Sequence, residues 1–292
     1  MPNAGGDWGR PTGVRRVEAV FRGRQRAALM PYLTAGLPDL ASLPRMLAAL
    51  AAGGADAVEL GVPFSDPLAD GPALQAAATA ALTAGFTLDG LWAVLERTLA
   101  QYPLPVVLLT YVNPMLAHGA ARFVDRAAAC GVAGLIVPDL PWAESGPLRR
   151  LTRDRGLALV PMATPNSPPG HLQRIRSGAG FVYGVSVTGV TGVRDQLAPD
   201  VLAFASRLKD AVRLPVAMGF GISTPEQAAR VGRVADGVIV GSALVTAVMQ
   251  DPAHAAEVAT ARVRALRAAL DADGPDGPDG GDGDGEEGRR PT

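Results

Sequence analysis

The chain is poor in the residues that most often carry special chemistry. Its 292 residues include one cysteine, Cys130, and one lysine, Lys209. A single cysteine excludes an intrachain disulfide and a cysteine-built metal site, so no metal is expected and a reduced, cytoplasmic setting fits best. Aromatics make up only 5%, so the interior has to be built from small and branched side chains. No apolar run reaches the ~18 residues of a membrane-spanning helix, and the opening MPNAGGDWGRPTG has no apolar signal-peptide core. This reads as a soluble, unsecreted protein. An excess of one charge is missing too: Lys and Arg number 27 against 28 Asp and Glu, a net charge of −1. With no basic block there is no electrostatic footprint for nucleic acid or an anionic membrane. Small neutral or anionic ligands remain open.

What is present is apolar content, 48% of the chain, ample for a large core. Residues 1–13 are rich in Gly, Pro and Asn, and residues 271–292 (DADGPDGPDGGDGDGEEGRRPT) contain no large apolar side chain. Neither end can recover its ordering entropy by burial, so both are expected to be disordered, with an acidic interaction tail as the alternative for the second. Between them, short apolar runs alternate with helical patterns. The strand candidates are 27–33, 56–61, 106–110, 134–137, 158–162, 181–185, 216–218 and 237–240. Eight βα repeats with nearly continuous apolar strands predict a parallel sheet buried on both faces and closed into a (β/α)8 TIM barrel with extra helices, one catalytic domain over residues 14–270. The first strand continues as LMPYLTAGLPD without Gly-x-Gly-x-x-Gly, which removes the main support for a dinucleotide fold.

In such a barrel, function gathers where strands end. The second strand ends in ELGVPFSDPLADGP, residues 59–72. Alternation puts Val58 and Leu60 on the helix side and Ala57, Glu59 and Gly61 on the inside. Glu59 therefore points into the barrel mouth, where desolvation raises a carboxyl pKa and favours an acid. A structural Glu paired with a buried cation is the alternative, but the neighbouring strand ends carry no Lys or Arg. Asp66 and Asp70 lie on the proline-stiffened loop that follows. Either one alone reads as an N-cap of the next helix; beside Glu59 they suggest paired acid and base work.

Glycines mark the opposite side. SVTGVTGVRDQLAP after the sixth strand, GFGISTPEQ after the seventh and GSAL after the eighth place Gly189, Gly192, Gly219, Gly221, Gly241 and Ser242 at helix starts. Each alone is explained by a tight turn. Three such loops together suggest backbone N–H groups cradling a phosphate, with the sixth loop as a lid. Tyr183 and Tyr111 could offer hydroxyls to the mouth.

MPYLTAGLPD, GADAVELGVPFSDPLADGP, LLTYVNP, GLIVPDLP, PMATPNSP, YGVSVTGVTG, MGFGIS and VGSALV resemble, in order and spacing, the motifs of the tryptophan synthase alpha chain family. The resemblance covers about residues 16–250. It implies a lyase that cleaves indole-3-glycerol phosphate to indole and glyceraldehyde 3-phosphate by a retro-aldol route. It implies Glu59 as the acid that protonates indole C3 and Asp70 as the partner of the ring N–H. Tyr32, Leu109, Tyr111 and Ile136 would line the indole pocket, with Tyr183 in contact with the site and Thr191 as the lid threonine. Gly192, Gly221, Gly241 and Ser242 would hold the phosphate. Tyr32 stands where many members have Phe, and Gly184 where a larger aliphatic residue is expected in the pocket wall. The resemblance also implies an α2β2 complex with a beta chain that carries pyridoxal phosphate and receives the indole, with Asp66 and the loop prolines facing that partner. No cofactor is expected in this chain. A stand-alone lyase releasing free indole and a non-catalytic regulatory barrel are the alternatives. Cys130, His118, His171 and His254 receive no role.

Overall fold

The computed structural model describes residues 12–101, 104–186, 199–219 and 221–272. Nine parallel strands form its sheet: β1 Ala28–Thr34, β2 Val58–Gly61, β3 Val106–Leu109, β4 Gly134–Ile136, β5 Ala158–Leu159, β6 Met162–Ala163, β7 Val182–Val185, β8 Val216–Gly219 and β9 Gly237–Val240. Their order is β5-β4-β3-β2-β1-β9-β8-β7-β6. The two ends of that order, β5 and β6, are separated in the chain only by Val160 and Pro161. They are two halves of one stave, so the sheet closes on itself with eight staves, the expected TIM barrel.

The fifth stave was expected to be continuous over 158–162 and is instead broken at Pro161. Proline has no N–H to give to a ladder. The stave serves one neighbour on each side of the break: Val160 N donates to Leu135 O (2.9 Å) toward β4, and Pro161 O accepts from Tyr183 N (2.9 Å) on β7.

Bulky residues alternate outward as expected. Leu29, Leu33, Val58, Leu60 and Leu108 pack beneath the helices Leu43–Ala52 and Leu88–Gln101 through Met46, Leu47, Leu91, Trp92 and Leu95. Met30, Val107, Leu109, Ala217 and Ile239 fill the interior. The lower end is closed by the helix Gly13–Ala19, which the sequence pattern did not single out. Val17 and Val20 of this segment enter the inner cluster, and Arg16 donates to Gly131 O (2.7 Å) and Leu104 O (2.8 Å). Its start at Gly13, with Thr12 as N-cap, falls inside the segment expected to be disordered, because a backbone approach to Ala133 that leaves no room for a Cβ ties it down. At the other end the last helix, Ala255–Ala272, runs two residues past the expected boundary at 270.

Two further helices depart from the sequence pattern. Val112–His118 follows β3 directly and sits beside the mouth. The helix expected from Trp142 begins only at Gly146, with Pro147 in its first turn. Trp142 instead lies in the loop before it, its indole N–H on Arg174 O at 3.1 Å and its ring under Arg149. Among the described residues no single helix is long and apolar enough to cross a membrane.

Candidate active site

Glu59 sits in the middle of β2, paired in register with Tyr32 of β1 and Val107 of β3. It is 1% exposed. One carboxylate oxygen accepts from the Tyr183 hydroxyl, while Oε2 is buried without any hydrogen-bond partner among the described residues. Among the described residues no cation faces the group. Burial pushes its pKa up from 4.5 to about 8, helped by the negative charge of Asp70 and opposed by the Tyr183 hydrogen bond. A buried acid with one oxygen left without a partner among the described residues is costly to fold, which is what a functional group held for chemistry looks like.

Asp70 reaches the same space from the loop after β2. Its N–H donates to Pro67 O (3.0 Å) and its carbonyl accepts from Gln75 Nε2 (2.8 Å), so backbone contacts on both sides fix it. The Tyr111 hydroxyl donates to its carboxylate and accepts from Ala69 N at 3.1 Å. Burial raises Asp70 to about 6, with the Tyr111 hydrogen bond opposing. It is not an N-cap: the helix Pro72–Thr83 begins after Gly71 and has no side-chain cap. Asp66 lies apart, exposed, bonded to its neighbour Ser65.

Three tyrosines enclose the two carboxyls. Tyr32, Tyr111 and Tyr183 are each 4% exposed or less, and burial together with the nearby acids raises all three phenol pKa values. Glycines make room for them. A side chain at Gly61 would collide with the Tyr32 hydroxyl, and one at Gly219 with the Tyr183 hydroxyl. Leu109 and Ile136 are register partners on β3 and β4 inside the barrel. Past them a cavity of about 410 Å³ opens beside the Asp70 loop, lined by Ala69, Val137, Pro138, Trp142, Val160 and Met162.

On the opposite side, Gly241 precedes the helix Ser242–Gln250, whose N-terminus has no side-chain cap. Gly221 takes a positive φ of 75° in the turn after β8. The helix Pro225–Gly232 differs, because Thr224 and Gln227 form a capping box and occupy its first N–H groups. An anion at this side would therefore be met by the bare helix start at Gly241 and Ser242 and by the turn at Gly221. Thr191 and Gly192, like Gly189, lie outside the described residues.

One expectation is corrected. Gly184 does not face the pocket: a Cβ there would meet Met218 Sδ and Leu208, so it belongs to the layer between sheet and helices, where Met218 fills the space. Sequence reasoning passed over Thr34, Gln75 and Met162. Thr34 could have been found, since a polar residue two positions after Tyr32 on one strand shares its face. Of the unassigned residues, His171 Nε2 bonds Met162 O at 2.8 Å, while Cys130 is buried, which pushes its thiol up to about 11. Lys209 pairs with Asp236 (2.9 Å) just before β9 starts, at the end of the barrel away from the mouth.

Comparison with known proteins points one way. The family model for the tryptophan synthase alpha chain matches residues 19–272. The tryptophan synthase alpha chain of Citrifermentans bemidjiense is 46% identical over 228 residues, covering 78% of this chain and 85% of that one. That of Synechocystis sp. is 48% identical over 227 residues, covering 77% and 86%. Among solved structures, the tryptophan synthase alpha chain of Legionella pneumophila superposes with a TM-score of 0.82 at 30% identity, covering 90% of this chain and 98% of that one. The tryptophan synthase complex of Pyrococcus furiosus gives 0.77 at 36% identity, covering 83% and 98%.

Proposed function

The chain belongs to the tryptophan synthase alpha chain family, and from that premise we propose that Glu59 and Asp70 carry its chemistry. The activity is that of a lyase, cleaving indole-3-glycerol phosphate to indole and glyceraldehyde 3-phosphate, and the chain works as the alpha subunit beside a tryptophan synthase beta chain in an α2β2 assembly. Pyridoxal phosphate belongs to that beta chain, and the complex is cytoplasmic.

The observation that carries the assignment is the separation of the two carboxyls: Glu59 titrates near 8 and Asp70 near 6. At neutral pH one holds a proton and the other is charged, the division of labour that acid–base chemistry on one substrate needs. Indole is a poor leaving carbanion, so its C3 must gain a proton before the bond breaks. Glu59 gives that proton to C3, and the positive charge that appears on the ring nitrogen is held by the carboxylate of Asp70. The Glu59 carboxylate then takes the proton from the hydroxyl on the carbon joined to C3. The C–O bond becomes a carbonyl, the C–C electrons return to the ring, and Glu59 ends the cycle protonated. Tyr183 and Tyr111 hold the two carboxyls in place.

Leu109 and Ile136 offer an apolar wall for the indole ring. Gly221, Gly241 and Ser242, with Gly192 from the sixth loop, receive the phosphate, and Thr191 belongs to the closing lid. The beta chain docks over the mouth, where the loop after β2 leaves Leu68 91% exposed and the helix after β3 leaves Leu116 59% exposed; Asp66 and the loop prolines lie on this face. A regulatory barrel without catalysis would have no reason to keep a buried acid, one oxygen of it without a partner among the described residues, beside a second carboxyl.

Replacing Glu59 by Gln keeps the shape and removes the acid. With the beta chain present, indole formation from indole-3-glycerol phosphate should fall by about 10³-fold, the size of a lost proton-transfer group. A rate near that of the parent would overturn the assignment.

A further inference from the structure

Tyr32 carries a hydroxyl that no acceptor among the described residues engages as a donor. It is 4% exposed, and among the described residues its one hydrogen bond is accepted from Thr34 Oγ1 at 3.3 Å. A buried phenol is expected to place its proton on an acceptor. The ring runs along the barrel wall toward the mouth, because the hydroxyl fills the space that a side chain at Gly61 would take, two register steps above the Tyr32–Glu59 pair. On its other flank, Tyr32 Cβ lies close to Gly241, where an added Cβ would approach to 3.3 Å.

These contacts place Tyr32 between the two halves of the site. β1 pairs with β2, which carries Glu59, and with β9, which leads into Gly241 and Ser242. A substrate with its phosphate at Gly241 and its reacting carbon at Glu59 must pass its intervening atoms over Tyr32. In indole-3-glycerol phosphate those atoms bear two hydroxyls.

We infer that the Tyr32 hydroxyl is a substrate-binding donor that holds a glycerol hydroxyl oxygen between the phosphate cradle and Glu59. The inference rests on the phosphate reading given above. Thr34 is its positioning residue: by donating to the phenol oxygen, it turns the phenolic proton away from the wall and into the mouth. Gly61 is part of the same device, since any side chain there would displace the hydroxyl.

The test compares glycerol 3-phosphate with n-propyl phosphate, which has the phosphate and the carbon chain but no hydroxyl, by calorimetric titration of the full chain and of its Tyr32→Phe variant. The parent should prefer glycerol 3-phosphate, and the variant should lose about fivefold of that preference while binding propyl phosphate as the parent does, as expected for one neutral hydrogen bond. An unchanged preference in the variant overturns the inference and leaves the cradle standing. Failure of both phosphates to bind either protein overturns the cradle and the inference with it. In turnover, Tyr32→Phe should lower kcat/KM for indole-3-glycerol phosphate by a similar factor; a loss of thermal stability with kcat/KM intact would show the hydroxyl to be structural and sink the proposal.

Discussion

The second stave of the barrel holds two carboxylates three residues apart, and their surroundings are opposite. Asp56, at the lower end, has a side chain 6% exposed; it accepts from Leu29 N at 2.8 Å and is met by Arg24, Arg26 and Arg267, the last of them tied in turn to Asp271. Glu59, at the upper end, is 1% exposed and among the described residues has one tyrosine hydroxyl for company and no cation. The lower end repeats around the barrel. Ala55-Asp56-Ala57-Val58 has its echo in Ala235-Asp236-Gly237-Val238, where Asp236 accepts from Val216 N at 2.8 Å and pairs with Lys209. The upper ends do not repeat, since Ile239 stands where Glu59 would. The lower rim thus uses its charge to fasten neighbouring strands, while the upper rim keeps one unbalanced because chemistry requires it, in line with the division of barrels into a stabilising and a catalytic face.

The comparison is sharpened most by pH. Burial holds Glu59 protonated up to about 8 when folded, against 4.5 for a free carboxyl. Between those values the folded chain binds a proton that the unfolded chain has released, so stability falls as pH rises from 4.5 and levels off above 8. Glu59→Gln removes this loss. Urea unfolding of parent and variant should show a stability gap that widens from pH ~5 to pH ~8, by on the order of 5 kcal/mol in full. Parallel curves for the two proteins would show that Glu59 is not held in the state described.

Much of this upper end was legible in the sequence, because alternation of small and bulky residues fixes which way Glu59 faces. The family motifs then suggested the chemistry proposed for it. The lower end was not legible: Asp56 read as part of the strand, and its three arginines come from positions 24, 26 and 267, which no local pattern connects. The break at Pro161 was missed for a related reason. A stave whose two halves serve different neighbours keeps its apolar content, and only the ladder shows the gap. Nor could periodicity place Gly184, since a glycine has no side chain to reveal its face and the filling is done by Met218 on the next strand.

At the lower rim the expected outcome is reversed. Asp56→Asn keeps an acceptor for Leu29 N but removes the charge that balances the buried Arg267, so unfolding free energy should drop by about 3 kcal/mol, as for a broken buried ion pair. Indole formation per folded molecule at 25 °C should stay within about twofold of the parent, because Asp56 and the mouth are at opposite ends of the barrel. If the variant kept its stability or lost its activity while folded, the division between the two rims would not hold.

The smallest effect tests how finely the upper rim is tuned. Tyr111 lies just past the end of β3, the strand next to that of Glu59, yet its hydroxyl serves Asp70, and among the described residues it is the side-chain contact that opposes the upward drift of Asp70 from burial. In Tyr111→Phe the carboxyl loses a donor to its charged form and must titrate above the present value of about 6. A hydrogen bond to a charged group of about 1.5 kcal/mol corresponds to roughly one pH unit. On the proposed reading Asp70 works ionised, so the acidic limb of the kcat/KM profile should move up by that amount. At pH ~6 the variant should be slower by about fivefold, and at pH ~8.5 the deficit should largely vanish, because Asp70 is then ionised in both proteins. A deficit that is the same at every pH would mean that Tyr111 only packs against the pocket, and the separation of the two carboxyls would then rest on burial alone.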